Sequence, residues 1–77
     1  MTREHVVANS FNNHEANHCV DIIVQPDGQF RYQHWRREPE DLSGWILLLD
    51  STPVTFASEQ QAIEAAKESI VWFAEMG

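Results

Sequence analysis

Two segments in the first half of the chain alternate apolar and polar side chains, and that period of two residues is typical of β-strands. Residues 18–25 are rich in β-branched side chains, whereas residues 29–35 are rich in aromatic ones. The sequence Pro26-Asp27-Gly28 between them combines three residues that favour tight turns. The pattern therefore predicts an antiparallel β-hairpin.

The next apolar segment, Trp45–Leu49, is continuous rather than alternating. A short unbroken apolar run is typical of a strand covered on both faces, so we expect a central, well-buried strand here. A charged loop over residues 36–44 precedes this strand. Residues 54–56 are expected to form a short extension that leads into a helix.

The last third of the sequence predicts one amphipathic helix from Glu59 to about Glu75. Ser58 and Gln61 have the spacing of a capping box, and Glu59 places negative charge in the first turn. An apolar stripe recurs at helical spacing. Its members are Ile63, Ala66, Ile70, Phe73 and Ala74. On the same helical wheel Trp72 lies opposite Ile63, away from the stripe, and is expected to be exposed.

The first seventeen residues differ from the rest because asparagine, which favours turns, is frequent there. We expect residues 1–17 to be either partly disordered or an edge strand near His5–Ala8, followed by a turn at Asn12-Asn13. Residues 18–77 then form a single β-β-β-α domain. The predicted fold class is α+β, with an antiparallel sheet of three or four strands and one C-terminal helix packed on one face.

Composition narrows the classes of function. A chain of 77 residues with 43% hydrophobic residues can build one small core. Twelve acidic against five basic residues give a net charge of −7, which argues against nucleic acid as a partner. The single Cys19 cannot form an intramolecular disulfide, and no apolar run is long enough for a membrane span or a signal peptide. We therefore expect a cytoplasmic bacterial protein with no membrane partner.

The sequence His14-Glu15-Ala16-Asn17-His18 matches the H-E-x-x-H motif of zinc peptidases literally. In those enzymes the motif lies on a helix, whereas the surrounding asparagines here disfavour one. We therefore predict no catalytic residues, no metal and no cofactor. A zinc-dependent hydrolase using His14, Glu15 and His18 is the least favoured alternative. A looser metal set of histidines and one cysteine fits no known zinc spacing. That set consists of His5, His14, His18, Cys19 and His34.

Tryptophans outside the predicted core indicate an interaction surface. Trp35 is expected on the sheet face opposite Phe30 and Tyr32, and tryptophan is enriched at protein interfaces. Cover by the N-terminal segment is the alternative for Trp35. The nearby arginines lie beside acidic residues, so local ion pairing is favoured over nucleic-acid binding. We predict a surface comprising Trp35, Arg36, Arg37, Val71 and Trp72.

Residues 18–77 also resemble small bacterial β-β-β-α domains, in particular the HicB-like antitoxin fold and the uncharacterised YegP-like domains. Three stretches carry this resemblance: the turn before Gln29-Phe30, the segment 40–44 (EDLSG) and the helix that begins after Ser58. The antitoxins carry a separate DNA-binding segment after the helix, which this sequence does not show. The resemblance therefore implies an inhibitor of a basic ribonuclease rather than an autoregulator of transcription.

Taken together, these patterns predict a non-enzymatic protein-interaction module that self-associates as a homodimer or binds a small protein partner. The antitoxin-type inhibitor is the alternative.

Overall fold

The computed structural model describes residues 6–38 and 44–76, which form four strands followed by two helices. These elements are β1 (Val6–Asn12), β2 (His18–Val24), β3 (Phe30–Arg37), β4 (Trp45–Asp50), α1 (Glu59–Ser69) and α2 (Val71–Glu75). The strands form one antiparallel sheet in the order β1-β2-β3-β4. The predicted α+β class with a C-terminal helical region is confirmed, and the sheet has four strands.

The central hairpin matches the prediction closely. β2 and β3 pair without interruption, from His18 opposite Arg36 to Val24 opposite Phe30. In the turn, Gly28 has a φ of +85°, which a residue with a β-carbon rarely adopts. The Asp27 carboxylate accepts a hydrogen bond of 2.9 Å from the backbone N–H of Gln29, as expected for an aspartate in a turn.

The asparagine-rich start forms an edge strand and a tight turn. β1 runs to Asn12, so it is longer than the strand expected at His5–Ala8, and residues 1–5 lie outside the described part of the chain. The Asn13 side chain accepts hydrogen bonds from the backbone N–H groups of Asn17 and His18, at 3.0 Å each. Ala16 completes the turn with a φ of +58°. These asparagines therefore order the β1–β2 connection instead of interrupting it.

The prediction of a central, buried strand at Trp45–Leu49 is wrong. β4 is the last strand in the sheet order and pairs only with β3 among the described strands. Each strand of this meander lies beside the one before it. After Asp50 the chain makes one more antiparallel bridge to β3, between Phe56 and Phe30 in the predicted extension, and then enters the helices. The pairing is also irregular, because His34 lies opposite Leu49 while the adjacent Trp35 lies opposite Leu47. Leu48 is thus the extra residue of a β-bulge. Most of the preceding predicted loop, residues 39–43, lies outside the described residues.

The predicted helix begins where expected but is not continuous. The Ser58 hydroxyl accepts a hydrogen bond from the Gln61 backbone N–H at 3.2 Å, which caps α1. The Gln61 side chain reaches back to the N–H of Ala57, one residue before the cap. At Ile70 the backbone is extended, with φ −122° and ψ 106°, and this residue separates α1 from α2.

The break at Ile70 changes which side chains face the sheet. A helical wheel assumes about 100° of rotation per residue, and the extended Ile70 interrupts that rotation. As a result Trp72 is half-buried and packs against the core, so its predicted exposure is wrong. Val71 is 74% exposed.

The core lies between the helices and the two central strands. Val20, Ile22 and Tyr32 supply its sheet side. The helical side is supplied by Ala62, Ala66, Ile70 and Phe73. The two alanines are fully buried and four residues apart, so they let the axis of α1 approach β2 and β3 closely. β4 contributes no residue to this cluster among the described residues.

Candidate interaction interface

β4 presents five consecutive large apolar side chains to solvent, from Trp45 to Leu49. Their exposed fractions range from 38% for Leu49 to 48% for Leu48. Together they expose about 400 Å² of apolar surface, which is comparable to the largest apolar patch of a typical monomer. The outer backbone edge of β4 has no partner strand within residues 6–38 and 44–76. We call these five residues and this backbone edge the β4 edge.

Side chains from β3 hold the β4 edge in place at both ends. At its start, the Arg37 guanidinium lies 5.1 Å from the ring centroid of Trp45, which is a cation–π distance. At its end, the Asp50 carboxylate accepts hydrogen bonds from Arg31 at 2.5 Å and from Gln33 at 2.7 Å. The β4 edge is therefore flanked by the Arg37 cation at one end and by the Arg31–Asp50 ion pair at the other.

Asp50 is ionised over the whole physiological range. Burial alone would raise the pKa of this carboxyl group, but hydrogen bonds from Gln33, Thr52 and Arg31 outweigh it and lower the pKa to about 2. Thr52 contributes both its hydroxyl, at 2.5 Å, and its backbone N–H, at 2.8 Å. These bonds fix the chain where it leaves the sheet.

The sheet face opposite the core carries a shallow depression of about 340 Å³. Its lining residues are Ser10, Asn12, Cys19, Asp21, Trp35 and Trp45. Trp35 lies on this face as predicted, opposite Cys19 in the register, and it is half-buried. Its indole N–H is buried and has no acceptor among the described residues.

Cys19 is held as an unreactive thiol in this depression. Burial raises its pKa to about 11, and the adjacent Asp21 carboxylate adds to the rise. The Asp21 carboxylate also accepts hydrogen bonds from the Cys19 thiol at 3.2 Å and from the Ser10 hydroxyl at 2.8 Å. Because the thiolate is the nucleophilic form, this arrangement does not favour nucleophilic catalysis.

On the core face, two histidines and a tryptophan converge where α2 meets the sheet. His34 Nε2 accepts a hydrogen bond of 3.2 Å from the Trp72 indole N–H and lies 3.0 Å from His18 Nδ1. Burial, and then the nearby His18, lower the pKa of His34. A neutral His34 with a free Nε2 lone pair fits this geometry, because the Trp72 N–H donates to that atom. The cluster therefore anchors α2 to β2 and β3.

The His14–His18 motif lies in the β1–β2 turn and at the start of β2, not on a helix. The geometry that presents both histidines and the glutamate of a zinc peptidase is therefore not formed. In the described part of the chain, no three His, Cys, Asp or Glu side chains are grouped so that they could hold a metal ion. Of the looser metal set, only His18 and His34 are adjacent. Cys19 faces the opposite side of the sheet, and His5 lies outside the described residues.

The five residues predicted as an interaction surface do not lie together. Trp35 is on the open sheet face, whereas Trp72 belongs to α2 and packs against the core on the opposite face. Arg36 forms an ion pair with Glu38, while Arg37 contacts Trp45. Sequence reasoning missed the β4 edge as a surface. The signal available was the succession of short connections, which predicts a meander and so leaves the last strand at the sheet edge.

Comparisons with known protein families, with curated proteins and with solved structures found no match to this chain. Neither α1 nor α2, the helices of the described residues, has the length and apolar character required to cross a bilayer.

Proposed function

We propose that this chain is a non-enzymatic protein-interaction module that binds another polypeptide strand along the β4 edge. The observation that carries this proposal is the exposure of five consecutive large apolar side chains on a strand with an unpaired backbone edge. An exposed edge strand offers a row of backbone donors and acceptors to an incoming strand. Adjacent apolar side chains add hydrophobic contact on both faces of the sheet.

The expected affinity follows from the area. Burying about 400 Å² of apolar surface gains on the order of 10 kcal/mol at about 25 cal/mol/Å². The loss of translational and rotational freedom on association opposes this gain and costs about 4–15 kcal/mol. Backbone hydrogen bonds and the partner's own buried surface add to it. We therefore expect reversible binding in the micromolar range.

Two features support a non-enzymatic role. The Cys19 thiol has a raised pKa of about 11, which opposes nucleophilic chemistry at neutral pH. The His34 Nε2 lone pair, which a general base would need, already accepts the Trp72 N–H. We also propose a cytoplasmic location, because a chain whose lone cysteine cannot form an internal disulfide suits a reducing compartment.

The test compares two matched substitutions of exposed apolar residues, Leu48→Glu on the β4 edge and Val71→Glu on α2. Both substitutions place a carboxylate at a position that is largely outside the core, so both variants should fold. Circular dichroism checks this. Association is measured by sedimentation velocity of the purified protein and by recovery of bound proteins from its source cells. We expect Leu48→Glu to lose association and Val71→Glu to retain it. Retention of every association by Leu48→Glu would contradict the proposal.

A second candidate function is the antitoxin-type inhibitor of a basic ribonuclease that the HicB-like resemblance implies. The supporting observation is that basic side chains have partners within the chain, whereas some exposed acidic side chains do not. Arg36 and Lys67 contact a carboxylate and an aromatic ring, respectively, whereas the exposed Glu64 and Glu68 of α1 have no ion-pair partner among the described residues. This acidic surface would attract a cationic protein.

Salt dependence separates the two candidates. Binding of a basic ribonuclease through α1 should weaken steeply between low and high salt and in the double variant Glu64→Gln, Glu68→Gln. Binding through the apolar β4 edge should change little with either. A complex that is insensitive to salt and to the α1 substitutions would contradict the antitoxin-type function.

A further inference from the structure

We infer that the strand bound by the β4 edge is β4 of a second copy of this chain, paired antiparallel about a twofold axis perpendicular to the sheet. The result is a continuous eight-stranded sheet with the helices of both copies on the same face. This inference rests on the proposed function, since it names the partner of the same edge.

The first argument is self-complementarity. The β4 edge is apolar from Trp45 to Leu49, so an antiparallel register centred on Leu47 places apolar side chains opposite apolar ones throughout, and one centred on Leu48 does so for Leu47–Leu49. No charged side chain within these five residues would meet a like charge or be buried without a partner. A twofold contact needs one patch that complements itself, and the β4 edge meets this requirement.

The second argument is that the charges at the two ends do not oppose antiparallel pairing. Arg37 lies over Trp45 at the start of β4, and Asp50, its last residue, is ion-paired with Arg31 of its own copy. In an antiparallel pair the start of one strand lies beside the end of the other, so the arginine of each copy lies toward the Arg31–Asp50 ion pair of its partner. No unpaired like charges are therefore brought together.

The third argument is that the helices do not obstruct the β4 edge. α1 contacts β2 and β3, and the core cluster contains no β4 residue among those described. A twofold axis perpendicular to the sheet places one residue of β4 directly opposite its own copy. In this six-residue strand the central positions are Leu47 and Leu48, so one of these two leucines lies beside the axis.

The area fits a reversible dimer. Two copies would bury at most about 800 Å² of apolar side-chain surface, because side chains on the two faces of the sheet keep part of their exposure, and this area lies below the roughly 1,200 Å² of specific, stable interfaces. We therefore expect a monomer–dimer equilibrium with a midpoint in the range of about 1–100 μM.

The experiment uses single cysteines in a Cys19→Ser background, because serine can keep the hydrogen bonds that this buried thiol makes with Ser10 and Asp21. Cysteine is placed at Leu47 or Leu48 on the β4 edge, and at Asn12 on the β1 edge or Val71 on α2 as controls. The rate of intermolecular disulfide formation is measured under mild oxidation. We expect at least one β4 variant to cross-link about 10-fold faster than both controls, since a residue opposite its own copy has nearly the required β-carbon separation.

Equal cross-linking rates at all four positions would overturn the inference. Native mass spectrometry of the unsubstituted protein distinguishes this failure from failure of the proposed function. A chain that stays monomeric up to about 100 μM, while Leu48→Glu still abolishes binding of a different protein, overturns self-pairing only. A dimer that persists unchanged in Leu48→Glu overturns both. A dimer that Leu48→Glu dissociates supports both.

Discussion

The two edges of the sheet are built in opposite ways. β1 carries polar side chains in its second half, at Asn9, Ser10 and Asn12, and two of these bond to neighbouring elements. Asn9 donates to Glu59 of α1 at 3.2 Å, and Ser10 donates to Asp21 of β2 at 2.8 Å. A register shift between Val7 and Asn9 also interrupts the pairing of β1. β4, in contrast, exposes only large apolar side chains until Asp50.

This difference supports the proposal that β4 binds another strand. Polar side chains and bulges are common means by which proteins keep an edge strand from pairing with other chains. β1 has both after Val7, although Val6 and Val7 at its start are 65% and 39% exposed. β4 has a bulge but no polar side chain in its first five residues, so its apolar surface is available for another strand. The protein thus protects one edge and leaves the other open.

The largest expected effect is a difference in the free energy of unfolding between a substitution in an interior strand and one at the open edge. Ile22 on β2 is fully buried in the core, so Ile22→Ala should lower the free energy of unfolding by about 2–5 kcal/mol. Leu48→Ala should lower it by less than about 1 kcal/mol in the monomer, because Leu48 remains 48% exposed there. Urea denaturation at low protein concentration measures both. Equal losses for the two variants would show that β4 belongs to the monomer core.

An intermediate effect is expected where β4 is anchored to β3. The pKa of Asp50 is lowered to about 2, so its ionised form stabilises the fold fully above the unfolded pKa near 3.8. That stabilisation, about 2 kcal/mol at most, is lost as the pH falls through about 2. Asp50→Asn should lack this acid dependence and be less stable at neutral pH. Denaturation of both proteins between pH 6 and pH 2 provides the test, and parallel pH profiles would contradict the anchoring role.

The smallest expected effect is on the pH dependence of stability. It concerns the hydrogen bond between Trp72 of α2 and His34, which lies away from both edges of the sheet. Because the pKa of His34 is lowered, its neutral form stabilises the fold above the unfolded pKa of 6.5, and this contribution is lost as the pH falls below 6.5. His34→Gln keeps an acceptor for the Trp72 N–H but cannot titrate. We expect a flatter stability profile below pH 6.5 for His34→Gln than for the parent, with His14→Gln in the exposed turn as the control. A profile unchanged by His34→Gln would contradict this assignment.

Local sequence patterns predicted the elements whose structure depends on near neighbours. The β2–β3 hairpin follows from alternation around a Pro-Asp-Gly turn, and the start of α1 follows from Ser58 and Gln61. The break at Ile70 could not be predicted in this way, because a helical wheel assumes the same rotation at every residue. Since the break interrupts that rotation, Trp72 packs against the core instead of facing solvent.

The candidate site was harder to predict because burial depends on the order of strands. An apolar run such as Trp45–Leu49 has the same sequence pattern in a central strand as on an exposed edge. Only the complete meander, with the chain leaving for the helices after β4, distinguishes the two. The predicted surface around Trp35 and Trp72 does not form, because the two residues lie on opposite faces of the sheet. Trp35 belongs to β3, whereas the position of Trp72 depends on the helix break at Ile70.

The most direct test of the central claim is amide hydrogen exchange of the unsubstituted protein at about 0.5 μM and about 500 μM, concentrations on either side of the expected range of the dimer midpoint. If β4 pairs with a second copy, exchange in Trp45–Asp50 slows at the higher concentration, while exchange in the polar part of β1, residues 9–12, does not change. Identical exchange in β4 at both concentrations, or equal slowing at both edges of the sheet, would contradict the account.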